Sequence, residues 1–208
     1  MYIEKPQDLL IRDAKLQFVS NFSGKPFAGN STEGTRSIDI KIESLEDAEN
    51  LAALGWPVKI YYRGPVLESR DETKQNRDKV RELMKRSCLT FDERRAFLID
   101  RNEYSTEYVD FYIKGIISYR YADKAAKVYM IMPVQKTKKL MTELNVGKLD
   151  NAKIVKLDVL LNPSWNSRRN EYSAYVKECN VVIEESPFVN DYEDYTLIEN
   201  DDEAGYEE

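Results

Sequence analysis

The chain has 208 residues, 42% of them hydrophobic and 33% charged, with 37 acids against 31 bases and a formal charge of -6. That length and apolar content suit one ordinary domain with a real core, and the charge suits a water-facing surface. Histidine is absent, which excludes His-based triads, His metal sites and imidazole acid–base catalysis.

Other chemistry-bearing patterns are also missing. The sequence holds neither GxxxxGK[ST] nor GxGxxG. Cys88 and Cys179 are the only cysteines and form no metal-ligand spacing, so a reduced cytosol is the expected setting. The longest apolar runs, such as YMIMPV, are too short to cross a bilayer, and MYIEKPQDLL lacks the apolar centre of a secretory signal. The expectation is a cytoplasmic protein without a membrane partner, catalytic residues, metal or cofactor.

Elements follow in chain order. KLQFV (15–19) sets Leu16 and Phe18 on one face of a strand, and FSGKPFAGNSTEG (22–34) reads as a loop. RSIDIKI alternates Ile38, Ile40 and Ile42 with Ser37, Asp39 and Lys41, the period of a half-buried strand. SLEDAENLAALG (44–55) reads as a helix that starts on a Ser44/Asp47 cap and stops at Gly55. PVKIYYR puts Val58, Ile60 and Tyr62 inward and Lys59, Tyr61 and Arg63 outward.

RDETKQNRDKVRELMKRS (70–87) is a charged helix with a thin apolar stripe of Val80, Leu83 and Met84, and FDERRAFLIDR (91–101) reads as another helix. Together they make 64–105 a helical insertion. Its ten bases and nine acids favour self-paired helices with a helix–helix or self-association role over a DNA-binding stripe. Further β-rich runs are 108–121, 127–132, 154–161 and 172–184. Gly115 inside the longest suggests a bulge or sharp bend, and Pro163 is expected to end the strand before a loop at 162–171. Five to seven strands with long loops predict a mainly β fold, an OB-like antiparallel β-barrel with a helical insertion. A β-sandwich fits the alternation as well.

Charge divides the chain. From Glu184 to Glu208 there are eleven acids and no base, so residues 1–183 carry 26 acids against 31 bases, a formal +5. The organisation expected is a domain over 1–185 and a disordered acidic tail over 186–208. On the basic body, aromatic and cationic residues recur together. Lys59, Tyr61 and Arg63 share a strand face, and Tyr112, Lys114 and Arg120 join them if a bulge at Gly115 restores register. Trp165 stands near Arg168 and Arg169, and Phe22, Lys25 and Arg36 flank the first loop. Rings that stack on bases beside cations that neutralise phosphates are what single strands require. Tyrosine is also an ordinary strand former, and Tyr62 and Trp56, beside apolar positions, read as core.

The segments NFSGKP (21–26), GWPVKIYYR (55–63), LDNAKIVKLDVLLNPSWN (149–166) and AYVKECNVVIEE (174–185) resemble a family of small phage-encoded proteins. Its members look like OB-type single-stranded-DNA-binding proteins with an N-F-x-G-K loop, a G-W-x-V-K strand entry and a D-x-x-x-N-P-x-x-W segment. The last corresponds to Asp158, Asn162, Pro163 and Trp165, with one residue fewer before the tryptophan. The resemblance covers about 15–63 and 106–185 and leaves out the insertion. It implies a sequence-nonspecific binder of single-stranded DNA in phage replication or recombination, in the host cytoplasm. It further implies a tail that recruits replication or recombination proteins, with homo-oligomerisation left open. Tyr192, Tyr195, Leu197, Ile198 and Tyr206 give that tail apolar anchors. The rival reading is a protein-interaction module, such as an inhibitor of a host nuclease or defence protein that mimics DNA. A mimic carries its acid on the folded surface, whereas this body is net basic.

Overall fold

The computed structural model of the chain describes residues 5–25, 35–87, 90–100, 106–168 and 170–184. In chain order its elements are β1 (Leu9–Ile11), β2 (Ser37–Ile42), α1 (Leu45–Ala53), β3 (Val58–Tyr62), α2 (Arg70–Ser87) and α3 (Phe91–Arg95). These are followed by β4 (Val109–Ile116), β5 (Lys127–Met132), β6 (Thr137–Met141), β7 (Ile154–Asn166) and β8 (Glu171–Ile183). A π-turn at Ala96–Asp100 follows α3, and a 3-10 turn at Val146–Asn151 precedes β7.

The strands form because their side chains alternate. In β3 and β4 every second residue is buried, and β2 buries Ile38, Ile40 and Ile42. Those inward residues join Val128, Met130, Val159, Leu161, Val176 and Val181 in one core. Backbone pairing bends the sheet onto itself. β2 and β3 flank β4 antiparallel, and the end of β4 meets β8 through Gly115↔Ala174 and Ile116↔Tyr175. β8 pairs along its length with β7, and β7 pairs with β1. From β1 the chain crosses to the free edge of β2, where Leu16 bridges Ile40 and Asn21 bridges Ser37. Strand pairing thus runs β2–β4–β8–β7–β1 and back to β2.

This is an OB-like barrel, mainly β, and its sheet is mixed. β8 runs parallel to both β4 and β5, and the β5–β6 hairpin extends the wall. The helices fill the connections. α1 starts as expected, with Ser44 Oγ accepting the Asp47 N–H at 3.0 Å, and Gly55 follows it at φ 91°. α2 buries Val80 and Met84, while Leu83, expected on the same stripe, is exposed because it lies off the line facing β3.

Three local expectations are corrected. Gly115 is not a bulge: the β2–β4 register runs unbroken through it. A Cβ there would lie 3.1 Å from Leu161, 3.2 Å from Val176 and 3.3 Å from Ile38, so glycine is what lets β4 approach β8. Pro163 does not end β7, which continues to Asn166. β1 covers only Val159–Leu161 of its outer edge, and beyond that a missing N–H is tolerated. Finally, residues 17 and 18 form a bend rather than a continuous strand, and this turns Phe18 away from the core that Leu16 joins. The acidic tail expected at 186–208 lies outside the described residues.

Candidate nucleic-acid interface

The outward positions of β2, β4 and β3 make one face. Register sets Tyr112 between Lys41 on β2 and Lys59 on β3, with Lys114 opposite Asp39 and Tyr61 opposite Asp110. Phe18 lies across this face. Its ring centroid is 4.7 Å from that of Tyr61 and 5.4 Å from that of Tyr112, both edge-on. Such contacts are each worth about 0.5–1.5 kcal/mol beyond burial, enough to fix the rings in place.

Asp39 is half-buried among these cations. Burial raises its pKa, while Lys114 and Lys59 pull the other way. Its Oδ1 is buried with no hydrogen-bond donor among the described residues. Burial, with the Asp39 charge adding to it, also raises the pKa of Tyr112, so this ring stays a neutral phenol at physiological pH.

The insertion leans over the same rings. Arg81 of α2 stacks on Tyr61 at 4.0 Å and donates from Nε to the Tyr62 carbonyl at 3.0 Å. Between α2, α3 and β3 lies a cleft of about 340 Å³. Ile60 and Met84 make its apolar floor, with Arg81, Lys85 and Arg94 around Tyr61 at its rim.

The residues singled out in the sequence divide into groups. Lys59, Tyr61, Tyr112 and Lys114 share the face, and Arg63 stands at its end, donating to the Glu107 carbonyl and 4.0 Å from Asp110. Arg36 and Lys25 belong to the roots of the first loop. Arg36 pairs with Glu143 at 3.0 Å, and Lys25 is exposed with its carbonyl held by Asn21 Nδ2 at 3.1 Å. Trp165 is a strand residue, not a turn residue. It pairs with Tyr172 across the β7–β8 hairpin, their rings 5.0 Å apart, and 46% of it is exposed. Arg168 is exposed at the tip of that hairpin, and Arg169 lies outside the described residues.

Two expected site residues are corrected. Phe22 is fully buried, because Asp150 accepts the N–H groups of Phe22 and Ser23 at 2.6 and 3.0 Å and pins this segment to the core. Arg120 does not share a face with Lys114. β4 ends at Ile116, and Arg120 sits in the exposed turn that follows.

Sequence reasoning passed over Phe18, Lys41, Arg81 and Arg94. Lys41 carried a visible signal, since it shares the outward phase of Asp39 in SIDIKI. Phe18 shares the phase of the inward Leu16, and only the bend exposes it. Arg81 and Arg94 were hidden by the near-balance of charge along the insertion.

No family model matches the sequence, and no curated protein matches it. Among solved structures, the chain is similar to a single-stranded DNA-binding protein from bacteriophage Enc34 in complex with single-stranded DNA. The TM-score is 0.39 and the identity 9%, over 87% of this chain and 89% of that one. A second structure of the single-stranded DNA-binding protein from bacteriophage Enc34 gives a TM-score of 0.37 at 11% identity over 89% and 86% of the two chains. The single-stranded DNA-binding protein gp2.5 of bacteriophage T7 gives 0.30 at 11% identity over 87% and 88%. Identities this low leave the interface to be read from this chain's own residues.

Proposed function

We propose that this chain binds single-stranded DNA without sequence preference, laying the strand over the outer face of β2, β4 and β3. The observation that carries this reading is Phe18 held edge to face against Tyr61 and Tyr112 amid Lys41, Lys59 and Lys114. A duplex buries its base faces in its own stack, whereas a single strand offers them to such rings at about 1–3 kcal/mol per base. The lysines answer the phosphates, and their counterion release makes affinity fall with salt. A strand face of an OB barrel is a surface that can seat an oligonucleotide. The sequence resemblance to phage-encoded binders supports a part in phage DNA replication or recombination. The acidic tail then recruits partner proteins once displaced. The net-basic body weighs against a DNA mimic.

Fluorescence polarisation with labelled oligo-dT and a duplex of matched length tests the reading. Oligo-dT affinity should fall linearly with log salt, and the duplex should bind much more weakly. Equal affinity for both sinks it.

A further inference from the structure

We infer that the helical insertion is a working wall of the nucleic-acid site, and that its cleft holds backbone phosphate of the strand. The inference rests on the proposed single-strand binding and adds a subsite off the barrel. Arg81 is its centre. The guanidinium is held by three contacts, with the Tyr61 ring at 4.0 Å, the Tyr62 carbonyl at 3.0 Å and Asp78 at 4.0 Å. Its Nη2 nevertheless is buried with no acceptor among the described residues. Burying an unmet donor is costly, so a small side-chain shift that brings Nη2 to an anionic oxygen in the adjoining cleft is favoured.

Two further cations border the same cleft. Lys85 is one turn beyond Arg81 on α2, and Arg94 comes from α3. The apolar floor of Ile60 and Met84 makes the surroundings less water-like, which strengthens each charge. Geometry also links the cleft to the barrel face, because Tyr61 belongs to both. On its outer side it meets Phe18 and, through Phe18, Tyr112. On its cleft side it carries Arg81. A strand whose bases stack along Phe18 and Tyr112 therefore meets the insertion's cations with its next phosphates. The face of Tyr61 that Arg81 covers is unavailable to a base; its role is to hold the guanidinium flat, and a guanidinium plane itself accepts a stacked base.

The test compares the full chain with Arg81→Ala/Lys85→Ala/Arg94→Ala and with Tyr112→Ala, titrating oligo-dT across salt. Each phosphate contact adds about 0.7 to the log–log salt slope for single strands. The triple variant should lose about 2 from the slope and on the order of a hundredfold in affinity at about 50 mM salt. Tyr112→Ala should weaken binding with the slope intact. Lys85→Ala alone, at an exposed position, should lose about 0.7 from the slope, and an unchanged slope there overturns the inference if the triple variant folds poorly. An unchanged slope in a folded triple variant overturns the inference, and continued loss in Tyr112→Ala would leave single-strand binding standing. Tighter oligo-dT binding by the triple variant also overturns it, since the cleft would then be holding the chain's own acidic tail. If the unaltered chain fails to bind oligo-dT, the underlying reading falls as well.

Discussion

Asp39 is an acid set among lysines on the outer face of β2, β4 and β3. Burial raises its pKa, so the folded chain holds this proton more tightly than the unfolded chain does. Stability therefore falls as pH rises from the ordinary carboxylate range through the raised value, and the loss persists at neutral pH. Asp39→Asn should raise the melting temperature at neutral pH and change it little near about pH 3, where both states are protonated. It should also tighten oligonucleotide binding at neutral pH. An equal gain in melting temperature at both pH values rules out the titration. Trp165 poses a different question, since it is half exposed against Tyr172. Trp165→Ala should cost about 1–3 kcal/mol of oligo-dT binding with little change in melting. A loss of about 3–5 kcal/mol of stability with affinity intact would make it a packing residue instead. At this scale the sequence misled where one backbone bend changed the outcome. Phe18 and Leu16 share a phase in KLQFV, yet only Leu16 packs on the core. Phe22 looked like a loop aromatic, and nothing local announces that Asp150 fastens it down.

Among the elements, Gly115 sets how closely β4 and β8 approach. Gly115→Val should destabilise the fold by about 1–3 kcal/mol, because its neighbours already stand at 3.1 to 3.3 Å from where Cβ would be. Urea unfolding measures it, and an unmoved midpoint would mean that the strands can part without cost. β2, β3 and β4 were legible because their alternation is strict and each buries a single face. α1 was legible from its cap. β1 was not, since three residues followed by Arg12 and Asp13 show no period, and its pairing with β7 is set by tertiary structure alone. The end of β7 was misread for a related reason. A proline breaks a strand flanked on both sides but not one whose outer neighbour has stopped at Leu161. The insertion's helices were visible as elements, and their charge balance was real. Asp78, Glu82 and Asp100 all pair within it. A residue count cannot show that Arg81 and Arg94 nonetheless reach the cleft.

Across the whole molecule, a basic body of net +5 precedes eleven acids without a base. Truncation after Glu185 should tighten oligo-dT binding at low salt, and the gain should shrink as salt screens the charges. Unchanged low-salt affinity would show that the tail does not compete. The barrel's pairing order has a separate bearing on how the chain is made. Leu9 pairs with Leu161, so the first strand must wait for one synthesised more than half a chain later. At ribosomal speeds of about 5–20 residues per second, that wait is roughly eight to thirty seconds. During it β2 and β3 can assemble on either side of β4, but the end of β4 that awaits β8 stays open. The newborn protein is therefore most at risk of sticking to its neighbours before its last strands leave the ribosome. Pausing in the codons for β7 and β8 should lower soluble yield even though the finished barrel is unaltered.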